Sequence, residues 1–306
     1  MPLQRRISDF GSDVAFGEVS KKLKEHYGIE VPESGIRLTT LKHAEKLKQI
    51  RDAELGCIES QAKACIISET DGSMIPMVKS TEDVRDKRKN KTFLYREARL
   101  TLAHEKGSKT PVFSATLGDV NEAGRHVVHC VKVVGINSET TLHCVGDGAP
   151  WIANQMEEQF GANATYLIDF YHVCEYLSAA SVVCAVGKEK EWLEEHKNLL
   201  KASRASQVLL SLLPYRESEK ISDEEAPVRM CYRYIRNRLH QMDYKTALDK
   251  DLPIGSGEIE SAHRYVIQAR LKIAGAWWLE KNAERMLALR TARANNQWES
   301  YWKKAA

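Results

Sequence analysis

Between residues 64 and 177 the chain lays down three strand-like stretches in succession. Two more strands follow, each running into a helix, and few folds accommodate that order. ACIISETDG (64–72) is a β-rich run ending in an acidic turn, after which Met74 to Val78 continues as a strand. Phe93 to Leu102 and Pro111 to Leu117 supply two further strands, so 64–117 reads as a meander of three antiparallel strands. STEDVRDKRKNK (80–91) offers nothing to bury and is read as a loop. Asp119 and Glu122 form a capping-box-like start for a helix through about residue 133. TLHCVGDGA is then a short strand, Trp151 to Phe160 a helix, ATYLIDFYH a buried strand, and Val173 onward a helix. Strands alternating with helices at this spacing pair in parallel.

Residues 178–250 are helical throughout, richly charged and free of strand signals, which marks an all-helical insertion. Pro253, Gly255 and Gly257 close it, and a last long helix is expected from about Ser256 or Glu258 to the high 290s. At the other end, Phe16, Val19, Leu23 and Tyr27 recur at helical steps, with Gly28 as the stop. Ser34 can cap a second helix that buries Ile36, Leu41, Ala44 and Leu47 and leaves Arg37, Thr39, Thr40, Lys42 and Lys46 mostly outward. Such a pair fits a helix-turn-helix entering a DNA groove. It fits a plain helical hairpin with a solvated basic face at least as well.

Composition narrows the class. The chain has 306 residues, 43% hydrophobic and 28% charged, which is ordinary globular usage. No run approaches the roughly 20 apolar residues of a membrane span, and MPLQRRISDF lacks the apolar region of a secretory signal. The cysteines (57, 65, 130, 144, 174, 184, 231) are odd in number and lack C-x-x-C spacing, as expected of a reducing cytoplasm rather than a disulfide framework or zinc ribbon. His126, His129 and Cys130 lack a convincing fourth zinc ligand. Net charge is only +3, but from residue 261 onward nine basic residues stand against three acidic ones, an excess of six. Among them Arg264, Arg270 and Lys272 are the candidates for holding a polyanion. Trp277-Trp278 is either core or a platform for unpaired bases.

Three acids stand out by context. Asp71 ends the strand CIISET and precedes Gly72, Asp147 lies between Gly146 and Gly148 after TLHCV, and Glu260 follows Gly255-Ser256-Gly257. Strand ends are where open α/β sheets place their ligands. Carboxylates suit Mg²⁺ or Mn²⁺, and two such ions about 3.5–4 Å apart can drive phosphodiester cleavage. The plainer reading makes them turn and cap residues, since Asp-Gly is a common turn and Glu suits a helix N-terminus. Asp169 and His172, three apart at a strand-to-helix step, are a second constellation: phosphate- or carboxylate-orienting, or a capping Asp with a buried His.

Three antiparallel strands followed by two parallel ones with helices is the element order of an RNase H-like fold. GDGAPWI (146–152), LIDFYHVCEYL (167–177) and above all LPIGSGEIESAHRYVIQARLK (252–272) resemble the ISKra-type insertion-sequence transposases, bacterial relatives of the Mutator superfamily. SETDGSMIPM, the N-terminal helical stretch and AWWLEKNAERMLALRTARANNQWESYW resemble further blocks of that family; in the 252–272 block Ser261 stands in place of the family's usual Gly. The resemblance implies an α/β, RNase H-like mixed sheet flanked by helices. It divides the chain into an HTH-like DNA-binding segment (1–60), the first part of the catalytic core (61–177), the all-helical insertion (178–250) and a last catalytic segment with a basic C-terminal helix (251–306).

By position the resemblance makes Asp71, Asp147 and Glu260 the catalytic metal ligands of two Mg²⁺ (or Mn²⁺) ions, with Glu258 as rival to Glu260. Asp169, His172, Arg264, Arg270 and Lys272 would position DNA. The expectation is a cytoplasmic, nucleoid-associated DNA transposase, acting on transposon-end and target DNA as a homodimer or higher assembly, with no membrane partner. The rivals are a truncated or domesticated DNA-binding derivative without catalysis, and an RNase H-like nuclease without strand transfer.

Overall fold

The computed structural model describes residues 2–55, 60–80 and 91–305, so Cys57 and most of the charged 80–91 stretch lie outside the described residues. The architecture is mixed α/β in two compact units, residues 1–140 with 257–306 and residues 141–256. No helix among the described residues is long and apolar enough to cross a membrane.

The first unit opens with three helices where two were expected: α1 (Pro2–Asp13), α2 (Phe16–Tyr27) and α3 (Glu33–Glu54). α2 buries Val19 and Leu23 and stops at Gly28, whose φ of 64° lets the N–H groups of Gly28 and Ile29 reach back to Lys24 and Leu23. α3 starts at Glu33, before Ser34, with the extended Pro32 at its head. It buries Ile36, Leu41, Ala44 and Leu47 as expected, and also His43 and Thr40, the latter against the expectation that it faces outward. The wider buried face follows from packing on two sides. Gly11 of α1 lies against Thr40, where an added Cβ would stand 2.3 Å from its Oγ1.

The three-stranded antiparallel sheet consists of β1 (Cys65–Ser80), β2 (Lys91–Glu105) and β3 (Val112–Thr116). The expected turn at Asp71-Gly72 does not exist. β1 runs straight through it, Asp71 opposite Leu100 and Gly72 opposite Arg99, because β2 pairs with β1 over its whole length. α4 (Val120–Val134) follows, its N-cap Asp119 accepting the Glu122 N–H at 2.9 Å as read from sequence.

The second unit is built on β4 (Thr141–Gly146) and β5 (Ala164–Ile168), paired in parallel and linked through α5 (Pro150–Phe160). Five helices complete it: α6 (Phe170–Cys184), α7 (Glu189–Lys201), α8 (Ala205–Leu212), α9 (Pro227–Arg236) and α10 (Tyr244–Asp249).

The chain then returns to the first unit, where the expected single long helix is broken. α11 (Gly257–Ala262) passes into a π-helical turn (His263–Gln268) and α12 (Ala269–Leu271); α13 (Glu280–Ala294) and α14 (Trp298–Ala305) come after a non-helical stretch. Two features cause the break. Gly275 adopts φ of 78°, and Trp278 leaves the helix to pair with β1, its N–H on Pro76 and its carbonyl on the Val78 N–H. Its indole joins a core with Ile75, Met77, Leu100, Ile259, Met286 and Leu287. Much of the basic surplus is spent here. Arg290 and Arg293 of α13 bind Asp13 and Asp9 of α1, Arg285 binds Glu45 of α3, and Arg290 also donates to the Tyr265 and Val266 carbonyls of the π turn.

His43 sits inside this packing between Tyr301 Oη (2.6 Å) and Gln4 Oε1 (3.1 Å). Burial first, then Lys46 and Lys42, pushes its imidazole down to about 4. The unfolded chain, with a histidine pKa near 6.5, takes up the proton first, so stability present above about pH 6.5 is lost as pH falls toward 4. Thermal unfolding followed near neutrality and near pH 4 should show that fall, and His43→Asn should make it shallower. An identical slope in the variant would assign the acid sensitivity elsewhere.

Candidate active site

On β1, Glu69 and Asp71 are two apart and share one face of the strand. Glu69 is buried, and its Oε2 accepts the Ile259 N–H at 2.8 Å, satisfying one of the orphan donors that open α11. Asp71 is 30% exposed; its Oδ1 accepts the Gly72 N–H (2.6 Å) and its Oδ2 lies 3.6 Å from His263 Nε2. His263, the first residue of the π turn, is buried, and desolvation holds its imidazole down to about 4, so at neutral pH the ring is uncharged. π turns inside helices are frequent at functional sites, because they re-aim the side chains around them.

The rivalry between Glu258 and Glu260 has a geometric side. Glu258 Oε2 stands 3.1 Å from His104 Nε2. Glu260 is exposed, as Glu258 is, and stands three residues before His263, the spacing of neighbours on one helix face. Of the expected cations, Arg264 and Lys272 are exposed. Arg270 is not. It is 2% exposed, its Nε donates to Gly11 O (2.9 Å), and its guanidinium lies between the Phe16 and Trp278 rings, 4.7 and 4.9 Å from their centres. The tryptophans divide: Trp278 is core, whereas Trp277 is exposed beside Phe93 and Tyr95.

In the second unit Asp147 follows β4 in a turn whose Gly148 has φ of 86°. A Cβ there would stand 2.5 Å from Tyr234 Oη, so glycine is required twice over. The helical insertion grips this turn. Tyr234 donates its hydroxyl to the Asp147 carbonyl (2.6 Å), and Arg238 Nε donates to the Gly148 carbonyl (2.9 Å) while its guanidinium lies over the Tyr234 ring. The Asp147 carboxylate accepts the Ala149 N–H at 2.8 Å and is half-exposed.

Asp169 is occupied differently. It is buried; Oδ1 caps α6 through the N–H groups of Tyr171 (2.6 Å) and His172 (3.0 Å). Its Oδ2 accepts both the N–H and the hydroxyl of Ser256 at 2.6 Å, fixing the Gly255-Ser256 segment. His172 is 36% exposed, 3.4 Å from Glu175, with its ring edge toward Tyr176 and Tyr234.

Sequence reasoning missed Glu69, His263, Tyr234 and Arg238. The alternation of Glu69 with Asp71 was a readable signal for the first. Nothing local points Tyr234 or Arg238 at a turn nearly 90 residues upstream. The carboxylate oxygens of Asp71, Asp147 and Glu260 are the donors a hard divalent ion takes, although among the described residues no three His, Cys, Asp or Glu side chains form a ready metal-binding group.

The two aspartates of the second unit should therefore separate on mutation. Asp169→Ala removes a helix cap and two charge-assisted bonds to Ser256, and should cost about 2–4 kcal/mol in urea unfolding. Asp147→Ala should cost less than about 1 kcal/mol. The reverse order would overturn these assignments.

Comparison with known proteins adds the family. A model described as "Uncharacterised protein family (UPF0236)" matches residues 136–304, which include Asp147, Asp169, His172 and Glu260. A Streptococcus gallolyticus protein described as "UPF0236 protein in vanSb 3'region" is 27% identical over 169 residues. That is 54% of this chain and 36% of the relative, so the chain spans about a third of the length of the curated relative it matches. With more than half of its residues under the family model, the chain belongs to UPF0236.

Proposed function

We propose that this chain is a DNA transposase of the DDE class, with an RNase H-like core that cleaves and joins transposon ends. The observation that carries the reading is the pairing of Asp71 with a buried, uncharged His263 at the foot of the element that carries Glu260. A neutral imidazole beside Asp71 leaves the carboxylate its full negative charge for a cation, where a protonated one would neutralise it. Asp147, in a turn gripped by the insertion, supplies the third carboxylate. Two Mg²⁺ or Mn²⁺ ions, when bound by Asp71, Asp147 and Glu260, would supply Lewis acidity for activating water and then a 3′-hydroxyl.

The chain's own groups do the positioning. Glu69 anchors the start of α11 and so sets where Glu260 stands. Arg264 and Lys272, on the stretch that follows, are exposed, which supports a role in meeting DNA phosphates. Half-exposed His172 can meet the strand, while Asp169 acts through the architecture it holds. α3 turns Arg37, Lys42 and Lys46 outward, as a DNA-facing helix would. Two transposon ends must be brought together, so the active form is a homodimer or higher assembly on DNA, in the cytoplasm at the nucleoid.

The test is nicking and joining of supercoiled plasmid DNA with Mn²⁺ or Mg²⁺. Asp147→Asn should lower metal-dependent cleavage more than about a hundredfold, beyond the loss typical of a disturbed outer shell, with the fold unchanged by circular dichroism. Undiminished cleavage in that variant would sink the assignment. Cleavage without joined products would favour a nuclease.

A further inference from the structure

Two hollows in the second unit meet at one residue, Asn237. The smaller, about 120 Å³, is lined by Arg216, Arg229, Arg233 and Arg236 with Tyr232, Asn237 and a single carboxylate, Glu219. Three of these arginines lie at steps of four and three along α9 and so share a helix face. Their duties differ. Arg229 is buried and structural: its terminal nitrogens donate to the Ser218 and Ile221 carbonyls and to Asp223, while its Nε has no hydrogen-bond partner among the described residues. Arg233 shares Asp223 with it. Arg216 lies over the Tyr232 ring, with one long bond (3.4 Å) to Glu219. Arg236 is exposed and has no ion-pair partner among the described residues. Guanidinium forks converging on a small hollow are the arrangement that takes a phosphate oxyanion.

The larger hollow, about 720 Å³, is lined in part by small residues, Gly161, Ala162 and Ala164 among them, and by Gly148 beside Asp147. It is also lined by Asn154, Asn237 and Tyr166, whose hydroxyl accepts the Gly148 N–H (3.3 Å), and by Gln241, whose Nε2 is 3.1 Å from His240 Nε2. Side-chain amides read the hydrogen-bonding edge of a base that has left its stack. Five arginines line the two hollows together against Glu157 and Glu219, and with Asp223 paired to Arg229 and Arg233 an excess of positive charge remains for an anionic strand.

We propose that the helical insertion holds one unpaired nucleotide of the DNA strand, its base in the larger hollow and its phosphate in the arginine hollow. Arg238 lines the larger hollow and holds the Gly148 carbonyl, so an occupied hollow is coupled directly to the turn that carries Asp147. This rests on the DNA reading above and gives the insertion a substrate-holding role within it.

The experiment uses the full chain and a short single strand carrying 2-aminopurine, with anisotropy reporting binding and fluorescence reporting base unstacking. Arg216→Ala/Arg236→Ala should weaken binding about tenfold or more. It should also lower the slope of log affinity against log salt by about 0.7, the value for one phosphate contact on a single strand. Arg236→Lys should keep most of the affinity. Asn154→Ala/Gln241→Ala should lose the 2-aminopurine signal while retaining backbone binding. Lys188→Ala/Lys190→Ala, exposed lysines elsewhere on the same unit, should change little. Equal losses in the arginine and lysine pairs, or an unaltered fluorescence signal in the amide pair, would overturn the proposal and leave the DNA reading standing. A wild type that binds no strand even at low salt would overturn both.

Discussion

A carboxylate buried on a strand is tolerable only if something nearby satisfies it, and in the first unit that constraint organises everything around it. Glu69, 1% exposed, meets the backbone N–H of Ile259. An unpaired charge at that depth would cost several kcal/mol. The pairing therefore fixes where α11 begins against β1, which in turn brings His263 to Asp71. The π turn and the Arg290 contacts to its carbonyls continue the same logic, because a helix carrying a wide turn exposes backbone groups that need partners.

The second unit answers a different problem. A turn with positive φ at Gly148 and tight contacts on both sides would be a soft element if left to solvent. Tyr234 of α9 and Arg238 just beyond its end, about 90 residues later, bind its carbonyls. The insertion is thus part of the architecture of the candidate site rather than a decoration on a surface. Asp169 does comparable work at the next strand end, and its four hydrogen bonds make it a structural residue first.

The alternation of strands and helices, the capped start of α4, the Gly28 stop and the all-helical character of 178–250 were all legible, because each rests on local periodicity or cap chemistry. The misreadings share a cause. Asp71-Gly72 looks like a turn locally, yet β2 supplies backbone partners on both sides of it. The final segment looks like one amphipathic helix, yet Trp278 gains more by pairing with β1 and entering the core. The basic run looks like a polyanion-binding face, yet Arg270, Arg285, Arg290 and Arg293 are consumed by the first three helices.

The sequence by itself determined the alternation of strands and helices through the middle of the chain, the capped start of α4, the Gly28 stop and the place of Asp147 just after β4, since spacing and backbone preference are properties of neighbouring residues. Tertiary structure alone decided which charges remain available and which carboxylates are committed. Whether an arginine faces solvent or two aromatic rings, and whether an aspartate ends in a helix cap or an open turn, depends on partners tens to hundreds of residues away, brought near only when apolar faces pack and buried polar groups must all be paired.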